Sequence, residues 1–195
     1  MNVKEYRAKA MRTCASLPAI EYDNKHMFLG MLTEIGELGD VYKKNLAYKK
    51  EIDFVNVKEE VGDLMWYIAN FCNFHEIEPI EFKNHKMLYV EHDNIDRIFM
   101  MVERMSSIRS RSKQTNYLEG FISDMLTHVY DFCIYNRFDL EEILDTNIEK
   151  LQARYPEKFT EVDALNRNLK KEREILESEN HRTITMEEMD KRFTT

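Results

Sequence analysis

Two short acidic strings hold the residues best suited to chemistry: Glu34-Ile-Gly-Glu37 and Glu60-Val-Gly-Asp63. Residues three apart on a helix lie side by side, so each string presents a pair of carboxylates on one face. At roughly 100° per residue, Met27, Met31, Ile35, Leu38 and Tyr42 form an apolar arc, with Glu34 at its edge and Glu37 next to it. Val57, Val61, Leu64, Ile68 and Phe71 form a second arc; Glu60 falls inside it and Asp63 on its border. A carboxylate on an apolar arc is costly unless something partners it, and four together repel and take up protons. A bound divalent cation removes both penalties, and all-oxygen ligands suit Mg2+ or Mn2+. Gly36, Gly39 and Gly62, three of only five glycines, lie beside these acids. Each costs about 1 kcal/mol relative to Ala inside a helix. Close helix approach, at a ligand site or in plain packing, would justify that cost. Either string alone also fits a solvated acidic stripe; the pair, turned inward, points to a site.

A later segment repeats the pattern with opposite charge. Leu140, Ile143, Leu144, Ile148, Leu151 and Tyr155 make an apolar arc, yet Asn147 and Arg154 lie within it and Lys150 beside it. Spacings of three and four place these polar residues in one row. Cations facing the carboxylates would neutralise them, or would hold phosphate oxygens that a metal also touches. Buried salt bridges that only stabilise the fold are the alternative.

The elements that must position these groups read as helices. The 195 residues include only five Gly and three Pro, and no alternating β-branched runs suggest a sheet. The expectation is an all-α helical bundle with a four-helix core. Helical periodicity predicts Val3 to Cys14, then a helix beginning after Asp23 or Asn24 as N-cap and running to Lys44, then Val55 to Phe74, Asn94 to Ser107 and Asn116 to Tyr135. A sixth helix opens with Asp139 and Glu142 and ends at Tyr155-Pro156; a seventh, Glu161 to Glu179, is charged nearly all round. Ser110 to Gln114 reads as a loop, and His181 to Thr195 carries no signal. Residues 1–159 thus form one domain, and 160–195 a charged C-terminal arm and tail. The string from Asp63 to Cys72 resembles that from Asp124 to Cys133, with Glu103 matching Glu34. Phe121 then stands where Glu60 would be, and Ser106 where Glu37 would be. Either a degenerate tandem hairpin or chance similarity of amphipathic helices explains this.

The acidic strings resemble the paired ExxE and ExxD motifs of the MazG-like all-α nucleoside triphosphate pyrophosphohydrolases, which include the dimeric dUTPases. Gly36-Glu37-Leu38, Glu59-Glu60 and the string Asn147 to Pro156 are similar to that family as well, over roughly His26 to Phe159. The resemblance implies hydrolysis of a (d)NTP to (d)NMP and pyrophosphate, with Glu34, Glu37, Glu60 and Asp63 holding Mg2+ and Glu34 or Glu37 as base. It also implies Asn147, Lys150 and Arg154 as substrate contacts. Lys44, two turns beyond Glu37 on the same face, is the best placed of Lys43, Lys44, Lys49 and Lys50 for phosphate. Trp66 and Tyr48 are candidates for stacking on a base, with packing as the plainer role, and His26 is a weaker candidate for ligand contact. A homo-oligomer, dimer or tetramer, is expected, although a duplicated chain could close its own bundle. A phosphoribosyl-ATP pyrophosphatase is a neighbouring possibility. A di-iron site would need Glu-x-x-His strings, which are absent.

The net charge of −8 argues against a nucleic-acid polymer as partner. Met1 to Met11 is charged rather than apolar, so neither a secretory signal nor a membrane anchor is expected, and the location reads as cytoplasmic. Cys14, Cys72 and Cys133, widely spaced, read as reduced structural thiols. A non-catalytic interaction or regulatory protein that keeps the same core is the competing functional class.

Overall fold

The structure is a computed structural model that describes residues 1–15, 17–78, 91–108 and 115–178, with backbone only for residues 115 and 116. Among them are eight α-helices and no strand: α1 Val3–Met11, α2 Ile20–Tyr48, α3 Phe54–His75, α4 Asn94–Ile108, α5 Thr115–Asn136, α6 Leu140–Arg154, α7 Glu161–Leu165 and α8 Leu169–Ser178. Capping chemistry sets several of the ends. Asp53 accepts hydrogen bonds from the amides of Val55 and Asn56 and starts α3; Asp139 accepts from Glu141 and starts α6. Glu76 closes α3 in the left-handed region at φ 54°.

α2 begins at Ile20, four or five residues earlier than expected. Ala19 flanks it without a side-chain cap, and the exposed first turn leaves its free amides to water. Asp23 turns back instead and accepts from the amide of Leu17, anchoring the entering segment.

Both predicted apolar arcs are fully buried. They join the α2–α3 hairpin to the α4–α5 hairpin as a four-helix core. At one end Phe28, Phe71 and Phe121 cluster with ring centroids 5.0 to 6.3 Å apart; at the other Tyr42 meets Phe132 edge-on. α1 and α6 cover α3 on its opposite flank, so α3 is buried on nearly every side. The second hairpin carries packing in place of acids. Phe121 is core, Ser106 is exposed, and Asp124 forms an ion pair with Arg104 at 3.1 Å.

The C-terminal segment differs from the expected single charged arm. Asn166 bonds back to the carbonyl of Val162 and Asn168 caps the amide of Lys171, breaking it into α7 and α8. α8 then lies on α6, burying Glu172 and Leu176. The expected loop at Ser110 to Gln114 and the tail from His181 lie outside the described residues. No helix among the described residues is long and apolar enough to cross a membrane.

Candidate functional site

α2 and α3 run side by side, and their acidic strings meet at the seam. Glu34, Glu37 and Glu60 each place an oxygen within 4.8 Å of the other two. Oxygens sharing one Mg2+ lie within about 4 Å of each other, so slight side-chain movement brings this trio to ligating distance. Glu60 is 6% exposed. Burial, then the negative charges of Glu37, Asp63, Glu34 and Glu59, push its carboxyl up to about 9. Burial, then Asp63 and Glu37, push Glu34 up to about 7, against a hydrogen bond with Glu60 and the charge of Lys150. Without a cation, the seam therefore holds protons.

Asp63 is placed beside the trio and is engaged by protein groups. Lys150, with 0% of its side chain exposed, sits 2.6 Å from both Asp63 oxygens and 3.2 Å from Glu59. Asn147 donates to Asp63 at 2.6 Å and accepts from the Tyr6 hydroxyl at 2.7 Å. Gly62 allows this approach: a Cβ there would lie 3.0 Å from the Asn147 amide nitrogen. The expected tight packing at Gly36 and Gly39 is not found. Gly36 has nothing within 4 Å, and Gly39 meets only Ile98 at 3.9 Å.

The expected row on α6 divides. Asn147 and Lys150 reach the acids, whereas Arg154 turns to α8 and makes a two-pronged bond with Glu172, at 3.0 and 2.5 Å. Arg167 adds a third bond to the same carboxylate at 2.8 Å. Lys44, paired with Asp40, stands at an open cleft of about 400 Å³ whose lining includes Thr33, Glu37, Asn56 and Glu60. This cleft gives solvent access to the acids. The Trp66 N–H is committed to Thr13 at 2.9 Å and its ring meets Tyr67 edge-on at 4.9 Å, so Trp66 is tied into the wall between α1 and α3. His26 meets Tyr67 edge-on at 5.7 Å, and Tyr48 is 75% exposed at the end of α2. The three cysteines are free thiols; burial pushes Cys14 and Cys72 up to about 12, which removes them as nucleophiles.

Three neighbours of the site escaped the sequence reading. Tyr67 follows Asp63 by one turn, and burial with the charges of Glu34 and Asp63 pushes its phenol up to about 12. Gly30 precedes Glu34 by one turn and leaves room for the Tyr67 ring, which a Cβ would meet at 2.1 Å. The four-residue spacings were a usable signal for both. Tyr6 comes from a different helix, and no local pattern marks it. Comparison with protein-family models, curated proteins and solved structures finds no match to this chain.

Proposed function

We propose that this chain holds Mg2+, or Mn2+ in its place, on Glu34, Glu37 and Glu60 with Asp63 alongside, and hydrolyses a nucleoside triphosphate to its monophosphate and pyrophosphate. One observation carries the cation site. Three glutamates converge on the α2–α3 seam, while the nearby cations Lys150 and Arg154 are bonded to Asp63, Glu59 and Glu172. The reaction rests on the likeness of the two acidic strings to the MazG-like pyrophosphohydrolases.

A bound cation would offset phosphate charge and make a coordinated water more acidic. The protein's own groups do the rest. Glu34 or Glu37 takes the proton of the attacking water as general base. Asn147 and Lys150 hold Asp63 in place. Lys44 flanks the open cleft beside Glu37, and its pair with Asp40 is solvent-exposed and therefore weak, so it exchanges readily for phosphate. Arg154 reaches phosphate by releasing Glu172, and Trp66 supplies an aromatic face near the base. In this reading the chain clears nucleotides from the pool. Assembly into a dimer or tetramer would cover the exposed Leu29, Leu32 and Phe99.

The test is a panel of canonical and modified (d)NTPs with Mg2+, scored for pyrophosphate. Pyrophosphate from at least one member is expected. Orthophosphate alone means a different bond is cut, and no release from any member ends the reading.

A second reading has one observation in its favour. Lys150 is wholly buried between Asp63 and Glu59, which already fastens α6 to α3 without any ligand. A non-catalytic interaction protein would need nothing more, but it leaves the three converging glutamates without a cation between them. Stabilisation by Mg2+ alone separates the two, since only the first reading expects it.

A further inference from the structure

Behind the acids, three side chains from three helices form a directional chain. Tyr6 on α1 is 0% exposed, and its hydroxyl lies 2.7 Å from Oδ1 of Asn147 and 3.2 Å from the carbonyl oxygen of Gly62. Asn147, 2% exposed, donates through Nδ2 to Asp63 at 2.6 Å. A carboxamide has one end that accepts and one that donates. Turned by half a rotation, its oxygen would oppose the Asp63 carboxylate and its NH2 would face the phenol. The Asp63 carboxylate accepts from one end of the amide, and at the other the phenol gives its hydrogen to Oδ1 at 2.7 Å over the more distant Gly62 carbonyl at 3.2 Å, so both ends agree on one setting. With Oδ1 receiving that hydrogen, Nδ2 must point at Asp63. Both side chains are buried, Tyr6 at 0% and Asn147 at 2% exposed. The Gly62 backbone closes the space on the third side, where a Cβ would stand 3.1 Å from Cβ of Asn147.

We propose that Tyr6 is a positioning residue for the acid site: its hydroxyl sets the Asn147 amide, which with Lys150 sets the Asp63 carboxylate beside Glu60. The inference rests on the reading of Asp63 as part of the cation site. Tyr6 touches neither cation nor substrate; it acts through Asn147. Groups that orient metal ligands in this way are worth about 10–100-fold in metal affinity or activity.

Tyr6→Phe keeps the ring in its slot and removes only the donor. Two readouts apply: Mn2+ binding to the nucleotide-free protein by electron paramagnetic resonance, and steady-state hydrolysis with Mg2+. Relative to wild type, the variant should bind Mn2+ about 10-fold more weakly and lose about 10–100-fold in kcat, with nucleotide KM changed by less than about 2-fold. Asn147→Ala should show a similar Mn2+ defect, and Tyr6→Phe should add nothing to it, since both cut one chain. Unchanged Mn2+ affinity in Tyr6→Phe overturns the inference, as do losses that simply add in the double variant. If Tyr6→Phe fails to fold, Asn147→Ala decides alone, and unchanged Mn2+ affinity there is fatal. A wild type that binds no Mn2+ overturns the cation site itself, and this inference with it.

Discussion

Replacing Glu60 with Gln should raise the stability of the metal-free protein while removing its response to Mg2+. Burial, then the neighbouring acids, lift the folded-state pKa of Glu60 from 4.5 to about 9. The fold therefore keeps a proton that the unfolded chain releases. Below about pH 4.5 both states are protonated and nothing is lost; from there toward pH 9 stability falls as pH rises. Each pH unit in that window is worth about 1.4 kcal/mol, which sets a ceiling near 5 kcal/mol at about pH 8. Water entering past the exposed Glu37 screens the site and brings the realised cost to about 2–3 kcal/mol. Gln has nearly the same shape and no charge. In chelator at about pH 8, Glu60→Gln should melt roughly 5–10 °C above wild type, and near pH 5 the two curves should merge. Mg2+ should then raise the melting temperature of wild type, more at pH 8 than at pH 5, because ligand binding releases the held protons. The variant should gain little and hydrolyse nothing. Differential scanning calorimetry at both pH values, with chelator or with Mg2+, reads all of this. The reasoning fails if Glu60→Gln melts below wild type at pH 8, or if both proteins gain equally from Mg2+.

Two further outcomes follow from the same geometry. Gly62→Ala and Gly36→Ala should move stability in opposite directions in urea unfolding. The first sets a Cβ 3.0 Å from a clamped Asn147 and should cost about 1–3 kcal/mol by overpacking. The second meets nothing within 4 Å and should gain up to about 1 kcal/mol from helix propensity. Glu172→Gln leaves Arg154 and Arg167 without their shared carboxylate, so amide exchange in α8 should speed up by about 10-fold or more while α3 keeps its protection; unchanged exchange would mean that Leu176 alone holds the helix.

The helices and their buried faces were legible because apolar periodicity over three or more turns reports which side is covered, whatever covers it. The start of α2 was not, since an exposed first turn needs no cap and Asp23 served the preceding segment instead. The C-terminal arm misled for a different reason. Two buried residues four apart, Glu172 and Leu176, vanish in a charged stretch, and Glu172 is buried only because Arg154 and Arg167 meet it there. The bond of Arg154 to Glu172 escaped notice through the same limit. A helical row fixes azimuth and leaves reach unspecified, and seven residues carry Arg154 about 10 Å along α6 from Asn147, where α8 offers the nearer carboxylate. Tyr6 left no trace in the sequence, because its partner lies 141 residues away.

The second hairpin supplies an internal comparison for the acids of the first. By the likeness of the Asp63 and Asp124 strings, Phe121 stands where Glu60 does. Phe121 is 3% exposed and packs edge-on against both Phe28 and Phe71. On the reading that the two hairpins are a degenerate tandem pair, an aromatic ring takes the place that Glu60 takes in the first, and helix packing then sets no requirement for a carboxylate there. In the first hairpin Glu60 is 6% exposed and surrounded by Glu34, Glu37, Glu59 and Asp63. Lys150, the buried ammonium beside these acids, is bonded to Asp63 and Glu59, and Lys44 at the cleft is paired with Asp40. Burying an acid among acids costs stability that a phenylalanine would contribute, and the distribution of protein cations leaves that cost in place. A positively charged ligand at the seam is the arrangement under which the cost is recovered.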